Sequence, residues 1–272
     1  MNTIRVINEK VYQTDLSFSE PYYIILLLED AINFSIDLQD YQILGPSCIF
    51  LSPYQHFKLN NADDLRISEL GFHGDFYCIE YHKEDVACNG ILFNNIYATP
   101  YVLLEQEQFV EIKSLFTRIH KIQQRNESYE LSIMKASLQL ILAINSKEKQ
   151  LVITAKEDIQ QKSAFSTFRE LLESNFIKEK SIQFYADYYH TTATVFSKKI
   201  KGIYGKPASK LIKERVVLEA KKRLHLTHKN VNEIAFELGF SDEFYFSRYF
   251  KNEVGVSPKT FREKVGIAKI AK

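Results

Sequence analysis

Two segments in the C-terminal part of the chain carry polar, basic and aromatic side chains at intervals that suit contacts with DNA. In residues 193–204 and 243–254 a phenylalanine, Phe196 or Phe246, stands four residues after a residue that can cap a helix. With each phenylalanine facing the interior, the positions that flank it face outward. We predict these outward positions to contact DNA. They are Thr194, Ser197, Lys198, Lys201, Glu243, Phe244, Ser247, Arg248 and Lys251.

These residue types match the chemistry of a DNA duplex. Lysine and arginine suit phosphates or guanine edges, and the hydroxyls of serine and threonine can bond to phosphates or bases. Glutamate accepts a hydrogen bond from cytosine, and an aromatic edge can contact the methyl group of thymine. Further cations between the two segments would add an attraction that does not depend on sequence. They are Lys210, Lys213, Arg215, Lys221, Lys222 and Arg223.

Each segment is predicted to be the second helix of a helix-turn-helix unit. In the first unit residues 182–188 form a short helix, and Thr192 caps the longer helix that follows the turn. The small side chain of Ala186 lets the two helices cross closely. Tyr189, His190 and Thr191 form the turn between them. The short side chains on the second helix predict weak or water-mediated base contacts from this unit.

The second unit repeats the same parts. Residues 231–238 form a short helix with Ala235 facing inward, Gly239 supplies the left-handed turn, and Asp242 caps the second helix. An upstream helix is predicted at residues 168–176, with Thr167 and Glu170 as a capping box. One such pattern is weak support for DNA binding, because many helical hairpins contain a small residue and a turn. Two copies joined by a long basic helix favour DNA binding over a plain helical bundle.

The distribution of charge points the same way. The formal net charge is +1, but residues 163–272 hold 21 Lys and Arg against 12 Asp and Glu, while the rest holds 14 against 22. A basic C-terminal part joined to an acidic N-terminal part indicates that one part meets a polyanion and the other does something else. The alternative is that the lysine-rich faces only keep a domain soluble.

The second unit also resembles a known family. Residues 234–251, IAFELGFSDEFYFSRYFK, followed by GVSP at 255–258 and Phe-Arg at 261–262, resemble the signature of AraC/XylS-type transcription regulators. The resemblance covers about residues 164–264. His190 stands where the family often has glycine, so the resemblance implies a left-handed backbone there, which histidine tolerates better than most residues. The same resemblance implies two helix-turn-helix units that read adjacent major-groove segments, with the outward positions as contacts. It also implies a cupin-like N-terminal effector or dimerisation domain, and RNA polymerase as a partner.

Composition and pattern define the rest of the architecture. With 272 residues, 45% of them hydrophobic, the chain is long enough for two globular domains. Four apolar runs within residues 22–70, separated by turn residues, predict a small antiparallel β-barrel or sandwich over about residues 1–98. A helical hairpin is predicted at about 103–146, a linker at 147–162, and the DNA-binding domain at 163–272. The fold class is therefore a two-domain α+β protein. The hairpin, which includes Leu138 and Ile141, packs on the β domain or forms a dimer seam.

Candidates for other chemistry lie in the N-terminal part. His73, Glu80 and His82 form a local cluster that invites a metal site, but their spacing argues against one, because His73 would point away from the other two on a strand. Phe72, Phe76, Tyr77 and Tyr81 are predicted to be core or barrel wall, with a pocket for a small effector as the alternative. Three cysteines without a CxxC pair fit a reducing compartment.

These observations predict a cytoplasmic, sequence-specific regulator of transcription that binds double-stranded promoter DNA and is not an enzyme. Its N-terminal domain dimerises, senses a small molecule, or does both. No cofactor, membrane span or signal peptide is expected. The alternatives are a metal-dependent cupin enzyme fused to a DNA-targeting module and an architectural DNA binder without an effector. The effector and its binding residues are not predicted.

Overall fold

The computed structural model describes residues 4–12, 16–60, 65–77, 90–123, 128–160 and 165–267. These residues form two compact units. The N-terminal unit contains the described residues up to Asn95 and from Thr99 to Val152, and the C-terminal unit contains Ile96–Ala98 and Ile153–Ile267. In the part of the chain that the structure describes, no helix is both long and apolar enough to cross a membrane.

The N-terminal unit is built on two antiparallel sheets. The strands are β1 (Ile4–Tyr12), β2 (Leu16–Phe18), β3 (Tyr23–Leu28), β4 (Ile32–Ile36), β5 (Gln39–Ile43), β6 (Ser47–Leu51), β7 (Phe57–Asn60), β8 (Leu65–Phe72) and β9 (Tyr101–Leu103). One sheet has the strand order β1-β8-β3-β6-β9, and the other has the order β2-β7-β4-β5. The prediction of a small antiparallel β domain is therefore confirmed.

The two sheets enclose an apolar core. Alternate residues of the central strand β3, such as Ile24 and Leu26, join Phe34 and Phe57 of the other sheet in one buried cluster. The remaining residues of β3 are buried on the opposite face, where the ring of Tyr23 lies 5.1 Å from that of Phe93. Because both faces of β3 are covered, its sequence YIILLL is continuously apolar instead of alternating.

Two helices follow the strands, α1 (Gln106–Ile122) and α2 (Ser128–Gln160). The apolar stripe of α1 is buried as predicted, and so are Met134, Leu138 and Ile141 of α2. The structure differs from the prediction beyond residue 146, because α2 continues as a helix to Gln160 through the expected linker. Lys149 explains part of this difference. It is buried, and its ammonium group donates to the carbonyl oxygens of Thr99 and Tyr101, so this segment packs on its own unit.

The C-terminal unit is helical. Its helices are α3 (Phe168–Asn175), α4 (Ile182–Tyr188), α5 (Ala193–Tyr204), α6 (Ala208–Leu226), α7 (Val231–Glu237), α8 (Glu243–Val254) and α9 (Pro258–Val265). The long helix α6 packs against α4, α5, α7, α8 and α9, and thus forms the centre of the unit. The predicted fold class, a β-sheet domain followed by a helical domain, is confirmed.

Candidate DNA-binding surface

The first helix-turn-helix unit consists of α4 and α5. Ala186 is fully buried where the two helices meet, and Phe196 of α5 is fully buried behind them. His190 has a φ of 51°, so the turn uses the left-handed backbone expected at this position. Thr192 caps α5 by accepting a hydrogen bond from the backbone N–H of Val195, as predicted.

The second unit consists of α7 and α8 and has the same plan. Ala235 and Phe246 are fully buried, and Gly239 has a φ of 73°. Asp242 caps α8 by accepting a hydrogen bond from the backbone N–H of Tyr245 at 2.7 Å. Helix α8 ends at a left-handed glycine, as α5 does. The structure thus confirms that the pattern is duplicated.

The two units differ in the length of the turn. Six positions separate Ala186 from the cap of α5, whereas seven separate Ala235 from the cap of α8. The longer turn contains Phe240, which is buried against three aromatic rings of α8. We call α5 and α8, the second helices of the two units, the recognition helices. The aromatic contacts of Phe240 therefore hold the second recognition helix, α8, against its own turn.

The structure leaves every predicted contact residue accessible on the surface of the C-terminal unit. Thr194, Lys198, Lys201, Phe244, Arg248 and Lys251 are exposed, and Ser197, Glu243 and Ser247 are partly exposed. Phe244 has 81% of its surface exposed, whereas Phe246, two residues later, is fully buried. The recognition helices therefore turn one face inward and present the predicted residues on the rest of their surface.

The predicted cations on the recognition helices differ from several cations of α6 in their ion pairs. Among the described residues, no ion pair includes Lys198, Lys201, Arg248 or Lys251. Several cations of α6 are paired instead. Lys210 and Lys213 pair with Glu253, Arg215 pairs with Glu173 and Glu219, and Arg223 pairs with Glu219 and Glu237.

The pairing on α6 changes the role expected for its cations. Arg215 lies 2.7 Å from a carboxylate oxygen of Glu173, and its guanidinium group covers the ring of Phe176 at 3.8 Å. Hydrogen bonds from Lys229 and Arg223 lower the pKa of Glu237. These cations mainly tie helices together, so the nonspecific attraction predicted for them is reduced by their own carboxylate partners. On α5 and α8, by contrast, Lys198, Lys201, Arg248 and Lys251 have no carboxylate partner among the described residues.

The sequence interpretation missed four exposed side chains on α5 and α8, namely Val195, Lys199, Tyr245 and Asn252. Val195 and Tyr245 each occupy the third position after the cap, and they are 48% and 50% exposed. Their equivalent spacing from the two caps is the signal that could have identified them. An apolar group at such a position can contact the methyl group of thymine.

The predicted capping box at the start of α3 is wrong. The side chain of Thr167 makes no capping hydrogen bond. Its hydroxyl lies 2.9 Å from the hydroxyl of Tyr189 instead. The threonine therefore connects α3 to the end of α4.

Only some of the candidate residues of the N-terminal unit lie in the part of the chain that the structure describes. Among the described residues, no group of three metal-ligating side chains comes together, while Glu80, Tyr81 and His82 lie outside those residues. His73 lies 3.3 Å from a carboxylate oxygen of Asp75. Phe72, Phe76 and Tyr77 are buried, in agreement with a role in the core. Burial raises the pKa of the Cys48 thiol, and Cys78 and Cys88 lie outside the described residues.

Comparison with known proteins agrees with this geometry. Residues 185–264 match the protein family described as a helix-turn-helix domain. The chain is 24% identical to the transcriptional activator RhaS of Mannheimia succiniciproducens over 214 residues, which is 79% of this chain and 76% of that protein. It is 28% identical to the transcriptional activator AarP of Providencia stuartii over 102 residues, which is 38% of this chain and 76% of that protein. A structure of ToxT from Vibrio cholerae is 17% identical, with a TM-score of 0.42, and the match covers 98% of this chain and 100% of ToxT.

The C-terminal unit is thus a pair of helix-turn-helix motifs joined by a central helix. It is a DNA-binding domain of the AraC type. The chain is a DNA-binding regulator of transcription.

Proposed function

We propose that the chain recognises a two-part promoter site, with α5 and α8 entering successive segments of the major groove. The observation that carries this proposal is the placement of the unpaired cations Lys198, Lys201, Arg248 and Lys251 on these two helices. The carboxylate partners of the α6 cations make that helix a weaker surface for phosphate binding. Cations without partners offer the full charge that neutralises DNA phosphates.

The two recognition helices are proposed to differ in how they read bases. Helix α8 presents Arg248, which can donate two hydrogen bonds to the major-groove edge of guanine, and Phe244, which can contact the methyl group of thymine. Helix α5 presents the short side chains of Thr194 and Ser197, which favour contacts through water. We therefore expect α8 to contribute more of the sequence discrimination.

Replacing Arg248 by alanine tests this proposal. We expect the variant to lose about 1–3 kcal/mol of binding free energy on the cognate site and little on random DNA, because a base contact is made only at the correct sequence. The measurement is a titration of both DNA fragments by fluorescence anisotropy. Arg118→Ala is the matched control, since Arg118 is an exposed arginine on α1 in the N-terminal unit. Equal losses on the two fragments would contradict base reading and make Arg248 a phosphate contact.

We also propose that the N-terminal unit couples a small-molecule signal or dimerisation to DNA binding. The acidic balance of this part of the chain opposes a DNA contact of its own. The similarity to RhaS, which is named a transcriptional activator, extends over most of the chain and supports a regulatory role for both units. Such a regulator would meet RNA polymerase at the promoter, and we expect it to act in the cytoplasm, where that DNA lies.

If the chain forms a homodimer through α2, the seam uses the exposed side of that helix. Leu138 and Ile141 are fully buried within one protomer, whereas Leu140 and Leu151, eleven residues apart and therefore on one face of α2, are 43% and 59% exposed. We expect Leu140→Asp to yield a folded monomer, because it places a charge in the seam. Leu138→Asp is expected to unfold the unit, because it buries an unpaired carboxylate. Light scattering gives the mass and circular dichroism gives the fold. A folded Leu140→Asp dimer would exclude a seam at this position.

The competing hypothesis is a metal-dependent enzyme in the N-terminal unit. We propose that the chain has no such activity, because the spacing of His73, Glu80 and His82 in the sequence does not place them on one face of a strand. Metal content measured after purification distinguishes the two hypotheses, because a cupin enzyme would retain about one metal ion per chain. An architectural role without an effector remains a separate alternative. It predicts DNA affinity that no small molecule changes.

A further inference from the structure

The loop between α3 and α4 approaches the turn of the second helix-turn-helix unit. The ammonium group of Lys180 donates hydrogen bonds to the carbonyl oxygen of Ile177 in its own loop and, at 3.5 Å, to that of Gly239 in the turn. The same group lies 4.8 Å from the ring centre of Phe240. One side chain therefore connects the segment that leads into the first unit with the turn of the second.

Gly239 shows how closely the two segments approach. A Cβ atom at this position would lie 2.5 Å from the carbonyl oxygen of Ile177 and 3.1 Å from the Lys180 nitrogen. The equivalent turn residue in the first unit is His190, whose side chain is exposed. A left-handed turn alone therefore tolerates a side chain in this fold. Gly239 is needed because its turn also packs against the loop.

Phe240 extends this contact to the recognition helix. Its ring centre lies 5.7 Å from that of Tyr245, 5.2 Å from that of Phe246 and 5.2 Å from that of Tyr249. These three residues span more than one turn of α8, so a shift of Phe240 would change how the helix is held. A continuous path of contacts runs from Lys180 through Phe240 to α8.

The environment of Lys180 is that of a positioned cation. Burial lowers its pKa, and the side chain is only partly exposed. Its partners are carbonyl oxygens and an aromatic face, which hold an ammonium group at a defined point. Lys178, two residues earlier, is exposed.

We propose that Lys180 and Gly239 are positioning residues that set the distance between the two DNA segments read by α5 and α8. They do so by fixing the turn of the second unit against the loop that leads into the first. This inference rests on the proposed two-part recognition of DNA. It assigns to these residues a role in spacing selectivity and no contact with DNA.

The test measures binding of the full chain to three versions of the DNA site that the chain binds most tightly in a selection from genomic fragments. One has the native separation of the two segments, and the others have one base pair more or one fewer. We expect the wild type to bind the altered sites about tenfold or more weakly, because distorting a rigid pair of units or the DNA costs free energy. Lys180→Met should lose about threefold to tenfold on the native site, and its preference among the three sites should shrink.

Two further variants separate positioning from other effects. Lys180→Arg retains a cation over Phe240 and should restore most of the spacing preference. Lys178→Met removes the same charge from the same loop and should keep the wild-type preference, so it controls for lost attraction to phosphates. Circular dichroism of each variant checks that the helices are intact.

The outcomes distinguish this inference from the function on which it rests. A shrunken spacing preference in Lys180→Met, with the preference kept in Lys178→Met, supports the inference. If the wild type discriminates among the three sites and Lys180→Met discriminates equally, the role of Lys180 is overturned while two-part recognition stands. If the wild type binds a single segment as tightly as the complete site, two-part recognition itself fails, and the inference falls with it.

Discussion

Replacing Phe246 by alanine is expected to lower the free energy of unfolding of the C-terminal unit by about 3–5 kcal/mol. Phe246 is fully buried, and its ring packs 5.2 Å from that of Phe240 and 6.0 Å from that of Phe250. The smaller side chain would leave a cavity beneath the recognition helix α8. Hydrogen exchange of the α8 amides in the full chain, measured over a urea series, gives the stability of this unit separately.

Phe244 provides a matched control on the same helix. It is mostly exposed, so Phe244→Ala should change the free energy of unfolding by less than about 0.5 kcal/mol. The same substitution should weaken binding to the cognate DNA, because we propose that Phe244 contacts the methyl group of a thymine. Comparable destabilisation by the two substitutions would contradict the assignment of an inner and an outer face to α8.

Replacing Gly239 by alanine should destabilise the C-terminal unit by about 2–5 kcal/mol, since a left-handed backbone and a steric conflict add together. The added Cβ would meet the backbone oxygen of Ile177 at 2.5 Å, and backbone cannot move aside as a flexible side chain can. The loss is measured by urea denaturation with the same hydrogen-exchange readout.

Gly205 separates the two contributions. It has a φ of 74°, close to that of Gly239, but a Cβ there would meet no atom within 4 Å. Gly205→Ala should therefore cost only the backbone part, about 1–2 kcal/mol. If Gly239→Ala lowers the free energy of unfolding no more than Gly205→Ala does, the loop does not make a close contact with the turn.

The helix-turn-helix units could be predicted closely because their signals are local. Helices α4, α5 and α8 have the predicted bounds, and α7 ends one residue earlier than predicted. Caps, small residues and turn residues act within a few positions of one another, so the order of residue types carries this information. The left-handed backbone of His190 was expected from the family resemblance, because this residue stands where the family often has glycine.

Features that depend on distant contacts could not be predicted. The pairing of Lys213 with Glu253 joins residues 40 positions apart, and the contact of Lys180 with Gly239 joins residues 59 apart. No period or motif in the sequence marks such pairs. This is why the α6 cations were expected to attract DNA, although the structure uses several of them to tie helices together.

In the N-terminal unit too, elements with local sequence signals were predicted and those that depend on distant contacts were not. Strands β3, β4, β6 and β8 were predicted because they are apolar and bounded by turn residues. Strand β5, with the sequence QDYQI, is mostly polar and partly exposed, and its pairing with β4 defines it as a strand. The buried ammonium group of Lys149 explains part of the course of α2 beyond residue 146, and a lysine-rich sequence gives no sign of that burial.

Selection of genomic DNA fragments by the purified full-length chain is the most direct test of sequence-specific recognition. The best fragment is then titrated against a scrambled copy over a series of salt concentrations. We predict a directional motif of two segments, bound about 10³-fold or more tightly than its scramble. Equal binding to both fragments, lost steeply as salt rises, would contradict the account, because only nonspecific attraction to phosphates would then be acting.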